Sequence, residues 1–547
     1  MLKNFKQRNI IYMIVCLLIL FSNIQAQDSK LLSRAEKSNY EETSLYSDII
    51  EFLLYCNSKS ENINIEYFTK SDEGKDIPLV IISEGELNNS KLNIFVIAGV
   101  HSGEVDGKEA TFVLIRELLF GDQKHLLKKC NVFIVPTLNV DGNDKIDKYN
   151  RLSQNGPIKG VGLADFPNGM NINRDFSKHE INETEALIKV INKYDPEIII
   201  DCHTTNGSYH AYALTYAPPL NPNTSKQITD FLRKELLPSV TEKIDQKHNL
   251  KMQYYGNFRR RGEPELGWQT FSYLPRYSTN YFGLINRIGI LSESYSYVDL
   301  KGRIDITFKF VTEIMDYASQ HVDKIKDIIS SVDKDNITRR EQYKEEYISV
   351  RCEVYEEEEP MEILLGAVDS IKDESDKGYT FVMRKDVVQP IKVKDYTNFR
   401  GVDKIKLPFC YILPNQFSKI VDNLLGHGVE VYKILEDKKI YTEIFLIDSI
   451  THSTSTFQAH QPVRVQGRYK ENETNIEKGD YLIFLGQKKS NLLPLLLEPY
   501  SEDGYLYWNF FDDYFNLNSH NNELQYPVIR VVRKENFKIE PFEKLEP

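Results

Sequence analysis

Three short runs of branched apolar residues, each ending in a residue that can bind a metal or move a proton, limit what this chain can fold into. Ile94 to Ile97 leads through Gly99 into His101-Ser-Gly-Glu104, Ile198 to Ile200 leads into Asp201-Cys-His203, and Ile288 to Leu291 leads into Ser292-Glu293. Runs of this length and β-branched content read as buried strands, whereas Glu109 to Leu119 repeats apolar residues at helical spacing. His101 and Glu104 therefore sit on a strand-to-helix loop. In open α/β sheets such loops lie at the carboxyl edge of the strands, where ligands and catalytic groups collect. His203 and Glu293, each closing a strand of its own, are expected at the same edge.

One His-x-x-Glu carries little weight in a chain with 11 His and 80 acidic residues. A third donor changes that. Two imidazoles and a carboxylate form a catalytic zinc set that leaves a fourth position open for water or substrate, which makes His101, Glu104 and His203 the candidate ligands of one zinc ion. His210 is an alternative to His203, set second because a strand end fixes a side chain better than the loop beyond it. Zinc hydrolysis also needs a group that takes a proton from water and returns it to the leaving amine, and Glu293 is placed for that role.

The chain has 547 residues, too many for one ordinary core. Lys3, Lys6 and Arg8 precede an apolar run from Ile10 to Phe21, and Ala26 offers a small residue before a cut, so residues 1–26 read as an export signal. Twelve apolar residues are short for a membrane span, and no stable membrane insertion is expected after cleavage. Removing the signal moves the net charge from −12 to −15, which disfavours a nucleic-acid partner. The expected location is periplasmic or extracellular. Five cysteines remain, without metal-motif spacing or a disulfide framework. Strand and helix patterns alternate from Tyr67 to Ile314, and a helical stretch from Asp305 to Val332 closes a domain spanning 27–332. The charged run Asp333 to Glu341 is the expected joint, followed by a strand-rich domain over 342–547.

Between the second and third candidate ligands, Glu104 and His203, stands Asn171-Ile-Asn-Arg-Asp-Phe176. His101-Ser-Gly-Glu104, the Asn173-Arg174 pair, His203 and Glu293 occur in an order that resembles the zinc metallocarboxypeptidases similar to carboxypeptidase A, over roughly residues 65 to 315. The resemblance implies an α/β/α sandwich around a mixed, mostly parallel sheet, one zinc held by His101, Glu104 and His203, and Glu293 as general base and acid. It implies that Asn173 and Arg174 grip the free carboxylate of a C-terminal residue, in keeping with bidentate guanidinium–carboxylate pairing. The family's carbonyl-polarising arginine maps onto Arg151, although its spacing differs and Gln154 stands near the usual place. A substrate-capping tyrosine is sought among Tyr273, Tyr277 and Tyr281; Tyr281 is chosen because it leads straight into the catalytic strand.

These observations lead to an exported zinc metallocarboxypeptidase acting on peptides. A zinc amidase cleaving peptidoglycan stem peptides or N-acyl amino acids shares the same chemistry. An inactive cell-envelope binding module is the alternative from a different class, disfavoured by the intact ligand set. The second domain carries no defensible catalytic constellation. Its aromatic stretch Leu496 to Phe511 suits a core or an interface better than a sugar-stacking face, leaving glycan or protein contact open.

Overall fold

The computed structural model describes residues 29–166, 169–373, 378–518 and 523–543. The expected export signal lies outside them. Among the described residues no helix is long and apolar enough to cross a membrane.

Eight strands build the main sheet: β1 (Ile63–Lys70), β2 (Asp76–Ile82), β3 (Leu92–Ala98), β4 (Cys130–Val135), β5 (Ile198–Thr205), β6 (Leu214–Ala217), β7 (Met252–Tyr254) and β8 (Ile288–Tyr295). Their spatial order is β1-β2-β4-β3-β5-β8-β6-β7. Pairing is parallel from β4 through β3 and β5 to β8 and again between β6 and β7, and antiparallel elsewhere. This is the mixed, mostly parallel sheet expected. The three strands that end in chemistry are immediate neighbours.

The unbroken apolar runs follow from burial on both faces. In β3, Ile94 and Val96 enter one core while Phe95 and Ile97 enter another; in β5, Ile198 and Ile200 share the first and Ile199 the second. Helices α1 (Tyr46–Lys59), α2 (Val105–Phe120), α3 (Leu237–His248) and α4 (Leu300–Gln320) contribute to the first core. Cys202 packs there as a free thiol. The second core receives helix Asn182–Tyr194 and then the C-terminal region.

Two expectations change here. The charged run Asp333 to Glu341 is no linker but the last turns of helix Val322–Gln342, in which Asp333 is buried against Arg287 (Nη1–Oδ1 3.2 Å). The region after it is strand-rich and folded into separate sheets, yet it does not keep a wholly separate core. Phe417, Ile420 and Leu424 join one continuous cluster with Leu187, Ile188 and Tyr281 across the expected boundary. Its largest sheet runs in the order 463–476, 438–452, 529–531, 410–413, 481–484, 431–434, 539–542. A long hairpin, Met361–Asp373 with Gly378–Val393, stands apart from that sheet. The rings of Tyr505, Trp508 and Phe511 are buried, so this aromatic stretch is core and interface.

Candidate active site

His101 and Glu104 lie on the loop between β3 and α2, and Glu104 is the N-cap residue of that helix. His203 lies near the end of β5, directly beside Glu293 in the parallel register of β5 with β8. One donor atom each from His101, Glu104 and His203 falls within 4.8 Å of the others. The two Nδ1 atoms are 3.3 Å apart, while Glu104 Oε1 is 3.2 Å from His101 Nδ1 and Oε2 is 2.9 Å from His203 Nδ1. Two imidazole lone pairs at that separation repel unless a proton or a cation lies between them.

The outer ring nitrogens explain which atoms face inward. His101 Nε2 is 3.1 Å from Asn171 Oδ1, and Asn171 in turn donates to Asp165 (2.6 Å). His203 Nε2 is 2.9 Å from Asp201 Oδ2, an ion-pair contact in a fully buried setting. The Asn171 oxygen by proximity and the Asp201 carboxylate by its charge favour protons on the outer nitrogens and leave Nδ1 free to coordinate, the usual support for metal-bound histidine. The donor set therefore fits a zinc ion.

The charges agree. Burial alone would raise Glu104, but Arg151 and then His101 hold it well below the usual carboxylate range. Burial opposes a charge on His203, yet Asp201 and Glu104 outweigh it and push that imidazole well above its ordinary value. The same negative field favours a divalent cation between the rings. Glu293, half-buried, is pushed up to about 8, first by burial and also by Glu104, with His203 and Arg151 opposing.

Glu293, Arg151, Asn173 and Arg174 line one cavity of about 410 Å³ with His101 and Glu104. Arg151 donates from both terminal nitrogens to Glu104 Oε1 at 2.8 Å. Gly103 permits that approach, since a Cβ there would sit 2.8 Å from Arg151 Cδ. Gln154 is buried and donates to the Gly103 and Gly156 carbonyls, which leaves Arg151 as the guanidinium beside the metal ligands. Asn173 and Arg174 sit on the short 3-10 turn Ile172–Arg174. Arg174 donates to its neighbour's carbonyl (2.6 Å), and its guanidinium lies 4.5 Å from the Tyr277 ring centroid. Among the described residues it has no acidic partner within ion-pair distance.

Tyr281 is not in this cavity. It is fully buried within helix Ser278–Leu284, its hydroxyl 2.9 Å from His427 Nδ1 at the contact with the C-terminal region. Tyr277, at the N-cap of that helix, lines the cavity instead. Tyr273 bonds to Glu502, away from the site. His210 is buried against Tyr295 and Trp268 and belongs to the core.

The residues missed were the supporting ones. Asp201 precedes His203 by two and shares its strand face, a period-2 signal legible in Asp201-Cys-His203. Asp106 is fully buried; it accepts from Thr204 and Ser294 and pairs with Arg303 (3.3 Å), tying the start of α2 to β5 and β8. Asn171 sits within the Asn-Ile-Asn-Arg stretch but gave no sign of its partner.

A mixed α/β sheet whose central strands bring a His-Glu-His donor set beside a half-buried carboxylate has the parts that zinc-dependent hydrolysis requires. Residues 49–311, a little under half of the chain, match the family model described as zinc carboxypeptidase. No curated protein sequence gives a significant match. Solved structures similar to the chain include a metallo-carboxypeptidase from Pseudomonas aeruginosa (15% identity, 51% of this chain and 69% of that one, TM-score 0.39). Another is carboxypeptidase A from Helicoverpa armigera (14% identity, 51% and 74%, TM-score 0.39).

Proposed function

We propose that the protein is an exported exopeptidase that removes single residues from the C-termini of peptides, with residues 27–332 as the catalytic unit and 342–547 as its strand-rich companion. The observation that carries this reading is Arg174: a guanidinium without an acidic partner among the described residues, held against Tyr277 in the same cavity as the donor set. A buried-side guanidinium of this kind calls for an anion, and a peptide's terminal carboxylate is one of matching shape.

His101, Glu104 and His203 would hold one zinc ion, which when bound acidifies water and polarises a carbonyl oxygen. Glu293 takes the proton of the attacking water on its carboxylate and returns it to the departing amine nitrogen. Arg151, already beside Glu104, donates to the scissile carbonyl oxygen as negative charge develops on it. Asn173 and Arg174 dock the terminal carboxylate, and Tyr277 orients the Arg174 plane and borders the terminal residue. Tyr281 has no part in this scheme.

The test compares free-acid peptides with their C-terminal amides in Arg174→Ala. A charge-assisted hydrogen bond contributes about 1.5–3 kcal/mol, so kcat/KM on free acids should fall roughly 10- to 100-fold per bond lost while the amides change little. Equal losses on both series would reject terminal-carboxylate docking and favour the amidase reading.

A further inference from the structure

Next to the site lies a second cavity, larger at about 700 Å³, which shares the wall residues Asn206, Gly207 and Asn257 with the first and so adjoins it. Neither Arg174 nor Tyr277 lines it. A substrate whose terminal carboxylate rests on Arg174 must lead the rest of its chain out of the site, and this cavity adjoins its path.

One wall comes from the hairpin Met361–Asp373/Gly378–Val393, which lies outside the family-matched region. The hairpin is fixed to the catalytic sheet's loops by backbone bonds: Ala211 N–H donates to Leu364 (2.9 Å), Gly366 N–H to Tyr209 (3.3 Å) and Met383 N–H to Tyr297 (2.9 Å). Gly366 permits this docking, because a Cβ there would meet the His210 carbonyl oxygen at 2.4 Å. The hairpin thereby brings Leu365 and Phe381 to the cavity opposite Tyr209, Tyr297 and Phe258. The rings pack edge to face or tilted, Tyr209 to Tyr297 at 5.7 Å and Tyr297 to Phe381 at 6.0 Å. Among the described residues no carboxylate lines the cavity, and the one charged lining group among them, Arg261, is drawn over Tyr209, to whose hydroxyl it donates (3.0 Å).

We propose that this cavity is a specificity site for a bulky apolar side chain located upstream of the scissile bond, so that the preferred substrates are peptides with an aromatic or branched aliphatic residue one to three positions before the bond cut. The proposal rests on the exopeptidase reading for the direction of the substrate. Aromatic and aliphatic walls reward burial of apolar surface. With an arginine and no acid in the lining, a basic side chain there is desolvated without a counter-charge. The hairpin, supplied by the C-terminal region, is thus a substrate wall.

The experiment uses the full chain with free-acid peptides that share their last residue and differ at one upstream position, Phe, Leu, Ala or Lys. Phe and Leu should exceed Ala by about tenfold in kcat/KM, with Lys lowest. Phe381→Ala and Leu365→Ala should each erase most of that advantage while hydrolysis of a single N-acetyl amino acid, too short to reach the cavity, stays unchanged. Calorimetric binding of the same peptides to Glu293→Gln reads the cavity without turnover. An upstream preference in binding that Phe381→Ala removes supports the site even where C-terminal release fails, which would count against the exopeptidase reading alone. Equal affinity for the Phe, Ala and Lys peptides, or a preference untouched by both hairpin variants, overturns the proposal.

Discussion

Asp201→Asn tests the metal site through a residue that never touches the metal. Asp201 is almost completely buried, its Oδ2 lies 2.9 Å from His203 Nε2, and it also accepts from Ser278. Asparagine keeps the shape but removes the charge that raises the basicity of His203, and it can turn an N–H toward an Nε2–H that needs an acceptor. Removing such an outer partner costs about 10- to 100-fold in metal affinity, or roughly 1.4–2.8 kcal/mol. Burial here is nearly total, so little of the effect is lost to solvent screening, and the upper half of that range is expected. The assay is competition of the purified protein with a zinc chelator of known affinity, with circular dichroism confirming that the fold persists. The companion variant Asn171→Ala removes a neutral acceptor from His101 and should cost less than Asp201→Asn. Unchanged zinc affinity in Asp201→Asn, or a larger loss in Asn171→Ala, would refute the assignment of His203 Nδ1 as the coordinating atom held in place by Asp201.

Glu293→Gln should lower turnover by at least about 10² while zinc content and peptide binding persist; activity above about a tenth of the parent's would make Glu293 an ordinary strand-end acid. Tyr281→Phe should leave kcat/KM unchanged and cost about 1–2 kcal/mol in denaturant unfolding, since it strips His427 of its buried donor; a large loss of activity would return Tyr281 to the site. Burial pulls His179 and His210 down to about 3, so between their ordinary pKa of about 6.5 and that value the unfolded chain binds protons that the folded chain does not. Stability is therefore complete above about pH 6.5 and falls with pH, by roughly 2 kcal/mol for each of the two at pH 5. Burial moves His427 in the same direction, while His203 and Glu293 are shifted upward and gain stability as pH falls, so the test compares the pH 7.5-to-5 change of the parent with that of His210→Gln; an equal change in both would contradict the His210 assignment.

What was legible in the sequence was whatever strand periodicity governs. Ile94 to Ile97 and Ile198 to Ile200 are apolar without interruption because both faces of β3 and β5 are buried, and the first polar residues after them mark the sheet's edge. The donor set follows from that placement. Long-range partners left no local trace. The acid run at Asp333 reads as a solvated joint until Arg287, 46 residues earlier, is found to neutralise it inside a helix. The two tyrosines differ by a single helical turn: Tyr277 stands at the N-cap and lines the cavity, while Tyr281 lies one turn deeper, where His427 closes over it from a segment 146 residues downstream.

That closure shows why the C-terminal region belongs to the account of the site. Gln458 Oε1 accepts from the backbone N–H of Asn171 at 2.8 Å, and Asn171 in turn holds His101 and, through its Oδ1, the Asn173 N–H at 2.8 Å. Asp503 accepts from both the backbone and side chain of Arg276, the residue before Tyr277, and Arg276 is itself enclosed by Trp508 at 4.6 Å. One candidate metal ligand, the turn proposed to dock the carboxylate and the aromatic beside it therefore each take part of their position from residues beyond 342. The shared cluster of Tyr281, Leu187 and Ile188 with Phe417, Ile420 and Leu424 holds these contacts to the catalytic sheet through buried apolar surface. In this chain the strand-rich region is structural support for the candidate site, and the hairpin that walls the neighbouring cavity extends the same arrangement outward.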